Sequence, residues 1–332
     1  MALILLLAIV FVFLRFSELT DFLNTLHRSN YRFLIAAITV ELIWMFNSAT
    51  DYGSIYRLVG LREKTLHLVL VATAANFVNV IAPSVGIGGM AVFLDDATRQ
   101  NHSTGRVTVV GVLYILFDYL AFFCVLTLGF IVLIRRNNLN PGELTAAAIL
   151  LVLAGAVAFL LFLGYKSTER LGKALSSMAR IMNLILRPFL HRDYIPAARP
   201  FTFAQEVGEG ISMLRGKREE LLWPFLFALN NFALLICVLA FTFLALGTPF
   251  TVGMLVGGFA IGYLFLIVSP TPSGLGVVEG AMTIALNTLR VDMATALLIT
   301  LTYRFITFWF PLAIGAITFR VLGGKTKPTP IP

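Results

Sequence analysis

Long apolar runs separated by short polar segments organise this chain of 332 residues. A transmembrane helix needs about 20 consecutive, mostly apolar residues. Eight stretches reach or approach that length, at roughly 1–16, 33–50, 65–82, 107–134, 144–164, 221–246, 250–269 and 293–321. Strands of a membrane barrel would instead alternate apolar and polar residues over about ten positions. The pattern therefore predicts an all-α integral membrane protein with about eight transmembrane helices. The first stretch lacks a basic start and a cleavage site, so it is interpreted as a span and not as a removed signal peptide.

Two further stretches, 83–100 and 270–289, are moderately apolar but broken by glycine and proline. The segments IAPSVGIGGMAVF at 81–93 and TPSGLGVVEGAMT at 271–283 share Pro, Ser and Gly-x-Gly, and both precede another long apolar run. Broken segments in corresponding halves of a membrane protein point to a transporter binding site. The sequence thus predicts two re-entrant segments that form an internal repeat, either inverted or parallel.

The predicted organisation is a single membrane domain over 1–332. It comprises a first repeat half at 1–164, an amphipathic interfacial linker at 165–220, a second repeat half at 221–322 and a flexible tail at 323–332. Within the linker, residues 171–187 place apolar side chains at helical spacing with basic residues between them, which is typical of a helix in the membrane interface. The alternative is a linker helix that packs on the loops. Linker and tail are both basic, which favours the cytoplasm for each. Three predicted crossings separate them, so the orientation stays open.

Composition agrees with a membrane location. Hydrophobic residues make up 58% of the chain and charged residues 13%, against about 25% charged in soluble proteins. The net charge of +8 lies in loops beside the spans, which favours anionic lipid headgroups over nucleic acid as partners. The histidines lack metal-ligand spacing, and no nucleotide-binding motif is present, so no metal or cofactor is expected.

A few charged residues lie in or beside the apolar runs: Glu41, Asp118, Glu279 and Arg304. A charge at the centre of a span costs about 2.5–3.5 kcal/mol on insertion scales, so such residues normally face the bundle interior and pair. Arg304 is expected to pair with Asp118 or Glu279, either to fix helix register or to hold a phosphate in its planar fork. For Glu41 we expect a polar neighbour as its partner. The predicted substrate-binding residues are Glu279, Arg304, Asp118, Gly274, Gly276, Ser273, Gly86 and Gly88.

The C-terminal stretch resembles the signature of the flippase-like family that includes the transmembrane domain of lysyl-phosphatidylglycerol synthase. The resemblance is carried by Glu279, Arg304, Trp309 and Pro311, and earlier by Asn79, Pro83, Gly86, Gly88, Gly89 and Asp118. Two departures concern the headgroup: Met90 stands where the family often has Glu, and the Glu-Arg that usually precedes the acidic residue is replaced around Tyr114. The resemblance implies the translocating part alone, without lipid synthesis, because no aminoacyl-transferase segment follows.

We therefore expect a lipid translocase that moves or binds a phospholipid or another lipid-phosphate headgroup, and no enzymatic activity. Two alternatives stay open: a membrane enzyme acting on a phospholipid or polyprenyl phosphate, and an inverted-repeat carrier of small solutes. The enzyme would use Asp95, Asp96 and Glu279 as metal ligands or bases, with Mg²⁺ on the adjacent aspartates, but a second acidic cluster is absent. Membrane lipids are the expected partners, with a second copy of the chain and a separate lipid-modifying enzyme as further candidates. The expected location is a prokaryotic cytoplasmic membrane.

Overall fold

A computed structural model describes residues 30–81, 87–135, 141–177, 180, 199–214, 216, 219–269 and 271–323. All regular structure in these residues is helical. The first half contains α1 (Tyr31–Leu58), α2 (Thr65–Ile81), α3 (Ile87–Arg99), α4 (Thr104–Arg135) and α5 (Pro141–Lys166). The middle contains the helical stretch α6 (168–177) and α7 (Arg199–Ser212). The second half contains α8 (Leu222–Ala245), α9 (Val252–Val268), a 3₁₀ turn (Pro272–Gly274), α10 (Val277–Thr288), α11 (Met293–Arg304), a π-helical turn (Phe305–Trp309) and α12 (Phe310–Gly323).

Five helical runs are long and apolar enough to cross a membrane: α1, α4, α5, α8 and the continuous run from α11 to α12. The predicted spans at 65–82 and 250–269 become α2 and α9, which have 17 residues each. At 1.5 Å per residue each is about 25 Å long, which is less than the roughly 30 Å of the hydrocarbon core. The structure thus confirms the helical membrane class but not the count of eight spans. The predicted span at 1–16 lies outside the described residues.

The predicted linker and tail are described only in part. The linker contains α6 and α7. Of the predicted amphipathic helix at 171–187, residues 171–177 and 180 are described, and the others lie outside the described residues. The last helix continues to Gly323, and the rest of the predicted tail lies outside them as well.

The most extensive helix packing joins α1 to α8, and two further pairs flank it. Helix α4 packs against α9, and α12 packs against α2. Each short helix also packs against its successor, α2 against α3 and α9 against α10. The 3₁₀ turn contacts α2, which brings the two broken segments to neighbouring helices.

Glycine allows close approach at both flanking pairs. A Cβ at Gly129 of α4 would lie 2.5 Å from the Cβ of Ala260 in α9. A Cβ at Gly315 of α12 would lie 2.7 Å from the carbonyl oxygen of Thr73 in α2. Small residues at such contacts let helix backbones meet, which is a main source of helix association in membranes.

Polar contacts at one end of the bundle tie several helix ends together. His67 at the start of α2 lies 3.0 Å from the carboxylate of Asp96 near the end of α3. His102 in the next loop lies 3.6 Å from Glu63, which precedes α2. Arg99 donates to the carbonyl of Leu322 at 3.1 Å, which brings the end of α12 to the same side.

We call this end the basic face. Helix α7 packs on this end, because a Cβ at Gly210 would lie 2.9 Å from Val109 near the start of α4. The end of α5 packs on α7 in turn, because a Cβ at Gly164 would contact Ile211. The other end, the opposite face, carries the start of α1 and the end of α8, which are linked by the Asn30 N–H donating to the carbonyl of Ala245 at 2.8 Å.

Candidate functional site

The second broken segment ends α9 and begins α10 through left-handed backbone. Ser273 has φ 51°, Gly274 φ 70° and Gly276 φ 81°, a region that only glycine adopts without cost. A Cβ on Gly274 would also overlap the Val278 side chain. The glycines therefore permit a break that other residues would disfavour.

Glu279 closes this break from the first turn of α10. Its Oε2 accepts the Gly276 N–H at 2.6 Å, which satisfies one of the helix's free N–H groups as a capping box does. Its Oε1 accepts from Arg304 Nε at 2.9 Å. Glu279 is 9% exposed and Arg304 5% exposed, so both charges are buried and paired.

Arg304 also binds the backbone of the break. One terminal guanidinium nitrogen donates to the Ser273 carbonyl at 2.9 Å, and the guanidinium lies 4.6 Å from the centre of the Phe308 ring. The π-helical turn begins directly after Arg304, a feature often found at functional sites. The predicted residues Glu279, Arg304, Ser273, Gly274 and Gly276 thus come together in one place.

Asp118 takes a different partner. The hydroxyl of Tyr263 in α9 donates to Asp118 Oδ2 at 3.3 Å, while the salt bridge of Arg304 goes to Glu279. The sequence left Asp118 and Glu279 open as partners of Arg304, and the structure contains the pairing with Glu279. Asp118 and Arg304 nevertheless line the same cavity.

That cavity, which we call the central cavity, has a volume of about 270 Å³. Its wall is mostly aromatic and apolar, with polar groups from Asn76, Asp118, Asn231, Ser273 and Arg304. A second cavity of about 300 Å³ adjoins it. Three residues line both cavities: Trp44, Asn76 and Tyr114. A few converging polar groups in an apolar wall are typical of binding pockets.

The first broken segment lies beside the second cavity. Asn79 near the end of α2 accepts the Gly89 N–H at 2.6 Å, and both residues line this cavity together with Met90. Gly88 lies in the first turn of α3. Gly86 lies outside the described residues, so its predicted role has no structural counterpart here.

The surroundings of two buried carboxyl groups of α1 differ from what the sequence predicts. Glu41 is fully buried, and neither of its oxygens has a hydrogen-bond partner in the structure. The prediction of a polar partner for Glu41 is therefore wrong for the described residues. Asp51 is 1% exposed with Oδ1 unpaired, and sequence reasoning overlooked it because α1 extends beyond the predicted 33–50. Tyr263 and Trp44 were also missed, because aromatic residues are common in any membrane span.

The two aspartates considered as metal ligands have other partners. Asp95 forms an exposed salt bridge with Arg99 at 2.6 Å, and Asp96 contacts His67. Across the described residues, no group of three or more His, Cys, Asp or Glu side chains is arranged to hold a metal ion.

The chain matches one family across most of its length. The family model described as "Lysylphosphatidylglycerol synthase TM region" covers residues 1–315. No curated protein matches the chain.

Proposed function

Because the chain belongs to the family of the lysylphosphatidylglycerol synthase TM region, a membrane family related to lipid handling, we propose that it is a lipid translocase. It moves or holds a phosphate-bearing lipid headgroup within the bilayer while the acyl chains stay in the surrounding lipid. One observation carries the proposal: Arg304, which is buried and paired with Glu279 of the second broken segment, lines the central cavity.

An internal repeat supports this proposal. The bounds of α1 to α4 recur 188 residues later in α8, α9, α10 and the run from α11 to α12, within three residues at every end. The buried charges and close-packed glycines also correspond, because Gly129 follows Asp118 by the same eleven residues that separate Gly315 from Arg304. The repeat that we infer therefore covers 31–135 and 219–323, and α5 to α7 connect its halves.

The ends of the short helices support re-entrant hairpins. Helix α2 begins and α3 ends at the basic face, where His67 contacts Asp96. Helix α9 follows the end of α8, and α10 precedes the start of α11, so both of these ends lie at the opposite face. In this proposal the α9–α10 hairpin turns at membrane depth, at Pro272–Gly274, where irregular backbone is tolerated only inside protein or beside a cavity. Hairpins entering from opposite faces correspond to an inverted repeat, as in many transporters.

Five crossings also remove the conflict between the basic linker and the basic C-terminal end. Among the described residues, α8 and the run from α11 to α12 are then the only two crossings between the linker and the C-terminal end. Two crossings return the chain to the side from which it started, so the linker and the C-terminal end both lie at the basic face. The described Lys and Arg residues of this face include Arg57, Arg62, Lys64, Arg99, Arg106, Lys166, Arg170, Lys173 and Arg320, against Arg32, Arg135 and Arg290 at the other. By the positive-inside rule we assign the basic face to the cytoplasm.

The chemistry of the central cavity suits a phosphate-bearing headgroup. Arg304 presents a planar fork that can donate two parallel hydrogen bonds to phosphate oxygens. Glu279 neutralises Arg304 between binding events, so the pair avoids an unpaired charge at membrane depth. The adjoining second cavity, reached past Trp44, Asn76 and Tyr114, extends the polar path toward the other broken segment.

The experiment is lipid movement in reconstituted vesicles. The full chain is placed in vesicles of phosphatidylcholine and phosphatidylglycerol with a trace of phosphatidylglycerol that carries a fluorophore on its acyl chain. Dithionite, which does not cross the bilayer, bleaches the outer leaflet, and protein-dependent loss of the inner fraction reports movement. We expect Arg304→Ala and Glu279→Gln each to reduce the rate at least tenfold.

Arg320→Ala is the matched control, because Arg320 is an exposed arginine of the same helical run. It should keep the wild-type rate. Equal rates in wild type, Arg304→Ala and Glu279→Gln, with all three folded, would overturn the site. A new lipid product formed only with divalent metal would favour the enzyme alternative instead.

A further inference from the structure

Four polar side chains form a stripe along the inner face of α1. Glu41, Trp44, Ser48 and Asp51 follow one another at spacings of three, four and three residues, which places them on one side of a helix. Trp44 lines both cavities, and the Ser48 hydroxyl lies 3.0 Å from that of Tyr114. Trp44 and Ser48 thus line the second cavity, and Glu41 and Asp51 lie about one helical turn to either side of them along α1.

Glu41 lies deep in the membrane and has no countercharge among the residues that the structure describes. It is ten residues from the start of α1 at the opposite face, or about 15 Å along the helix axis. It has 0% exposure, and both carboxyl oxygens lack a hydrogen-bond partner in the structure. An unpaired carboxylate in such surroundings is very costly, and binding a proton removes the charge. This conformation therefore favours the neutral acid, and Glu41 would release its proton only in a conformation that brings water to it.

The acid–base groups around Glu41 are few. Helix α11, which packs against α8, ends with Tyr303 and Arg304. Helix α8 carries Cys237 and no Asp, Glu, Lys, Arg, His or Tyr. The π-helical turn has no titratable side chain, and the only one in α2 is His67, which Asp96 engages at the basic face. Arg304 is the only Lys or Arg in these elements, and its salt bridge goes to Glu279, so it does not keep Glu41 ionised.

Asp51 continues the stripe toward the basic face. It is 1% exposed with Oδ1 unpaired, and its neighbour Tyr52 packs on Tyr114, one turn before Asp118 on α4. Tyr52 and Tyr114 stack beside these carboxyl groups with ring centres 3.9 Å apart, and Tyr263 donates to Asp118. Two carboxyl groups that repel each other in a buried site favour one shared proton over two charges.

The remaining step to the basic face passes Tyr56. This tyrosine is 1% exposed and lies five residues beyond Asp51. Helix α3, which carries Asp96, packs beside this part of α1, because Tyr52 stacks on Phe93 with ring centres 4.7 Å apart. Asp96 contacts His67, which is 23% exposed in its side chain and reaches the aqueous end. Carboxyl and histidine groups in sequence through a membrane protein mark proton relays in pumps and transporters.

We propose that Glu41, Asp51 and Asp118 carry protons through the bundle and couple lipid movement to the proton gradient. This inference rests on the proposed function and adds its driving force. In each cycle a Glu41 oxygen forms an O–H bond with one proton taken from one aqueous side. The same proton later passes to water on the other side, which restores the carboxylate. No electron moves, and no other reactant is consumed.

Two separate measurements test the coupling in vesicles of phosphatidylcholine and phosphatidylglycerol that contain the full chain. A pH-sensitive dye inside the vesicles reports proton entry after the external pH is lowered, with valinomycin and potassium holding the membrane potential at zero. The dithionite assay reports lipid movement with the gradient in either direction. We expect wild-type vesicles to admit protons faster than protein-free vesicles and to move lipid at a rate that depends on the gradient.

Glu41→Gln keeps the size of the side chain and removes the proton site. We expect it to lose at least nine-tenths of the protein-dependent proton entry and the gradient dependence of lipid movement. Asp51→Asn should act in the same direction and serves as the second variant if the first does not fold. The control is Glu169→Gln, which alters an exposed carboxylate whose pKa is lowered by a hydrogen bond from Lys173, and it should match wild type.

The outcomes separate the two proposals. Proton entry equal to that of protein-free vesicles, or unchanged in both Glu41→Gln and Asp51→Asn, overturns the proton path. Lipid movement that ignores the gradient overturns the coupling while the translocase function stands. Absence of any protein-dependent lipid movement overturns the translocase function itself.

Discussion

Arg304 Nε donates to Glu279 Oε1 at 2.9 Å and so joins two helices across 25 residues of sequence. The same carboxylate accepts the Gly276 N–H, and the same guanidinium donates to the Ser273 carbonyl. One ion pair thus fixes the broken backbone before α10 to the final helical run. A headgroup phosphate that draws Arg304 away from Glu279 would release this connection, so binding and backbone conformation are linked at one point.

Removing one partner of this pair should destabilise the fold more than removing both. Arg304→Met leaves Glu279 buried without a countercharge, and breaking a buried pair in this way costs about 3–5 kcal/mol. The double variant Arg304→Met with Glu279→Gln leaves no unpaired charge. We expect it to recover most of the loss in the midpoint of thermal unfolding, measured in detergent for all four members of the cycle.

The Arg320→Met variant controls for loss of an arginine at an exposed position of α12. Additive losses in the double variant would mean that the two side chains do not interact energetically. In that case the pairing would not explain how the break is held.

A methyl group at Gly274 should disrupt the break. Alanine there must adopt φ 70°, at a cost of about 1–3 kcal/mol for a residue other than glycine. Its Cβ would also overlap Val278 and lie 3.3 Å from the Leu266 backbone. Gly247 is the matched control, because it has φ 63° and open space around a Cβ. We expect Gly274→Ala to lower the unfolding midpoint clearly more than Gly247→Ala, and equal losses would show that packing at the break contributes nothing.

The sequence predicts some parts of this architecture well. The long apolar runs become α4, α5 and α8 within three residues at each end, because a span must be predominantly apolar along its whole length. The Glu279–Arg304 pair could also be predicted, since charges in apolar runs normally pair and few partners exist. The number of crossings could not be predicted, because a 17-residue helix buried inside a bundle has the same composition as a span.

Other features depend on tertiary packing and leave no local signal. Nothing in the sequence around Glu41 distinguishes a paired carboxylate from an unpaired one, because its surroundings come from α8 and α11. The choice of Tyr263 as the partner of Asp118 likewise depends on how α4 and α9 pack. The alignment of helix bounds between the two halves becomes visible only once those bounds are known.

Replacing a close-packed glycine by alanine should change the unfolding midpoint in the opposite direction to replacing a lipid-facing glycine by alanine. A Cβ at Gly129 or Gly315 would approach the facing helix at 2.5 Å or 2.7 Å, so the helices must separate. A Cβ at Gly155 of α5 meets nothing within 4 Å, and alanine is favoured over glycine in a helix by about 1 kcal/mol. We expect Gly129→Ala and Gly315→Ala to lower the unfolding midpoint and Gly155→Ala to raise it. A rise at all three sites would contradict the close packing.

Labelling from the two sides of the membrane should separate the basic face from the opposite face. In a variant with Cys124 and Cys237 changed to serine, one new cysteine replaces either Gln100, at the basic face, or Pro249, between α8 and α9. Both positions are exposed, so an impermeant maleimide can reach each from its own side. In intact cells we expect Pro249→Cys to react and Gln100→Cys to react only after the membrane is opened. Reaction of both from outside would contradict hairpins that enter from opposite faces, because it would put the start of α4 and the end of α8 on the same side.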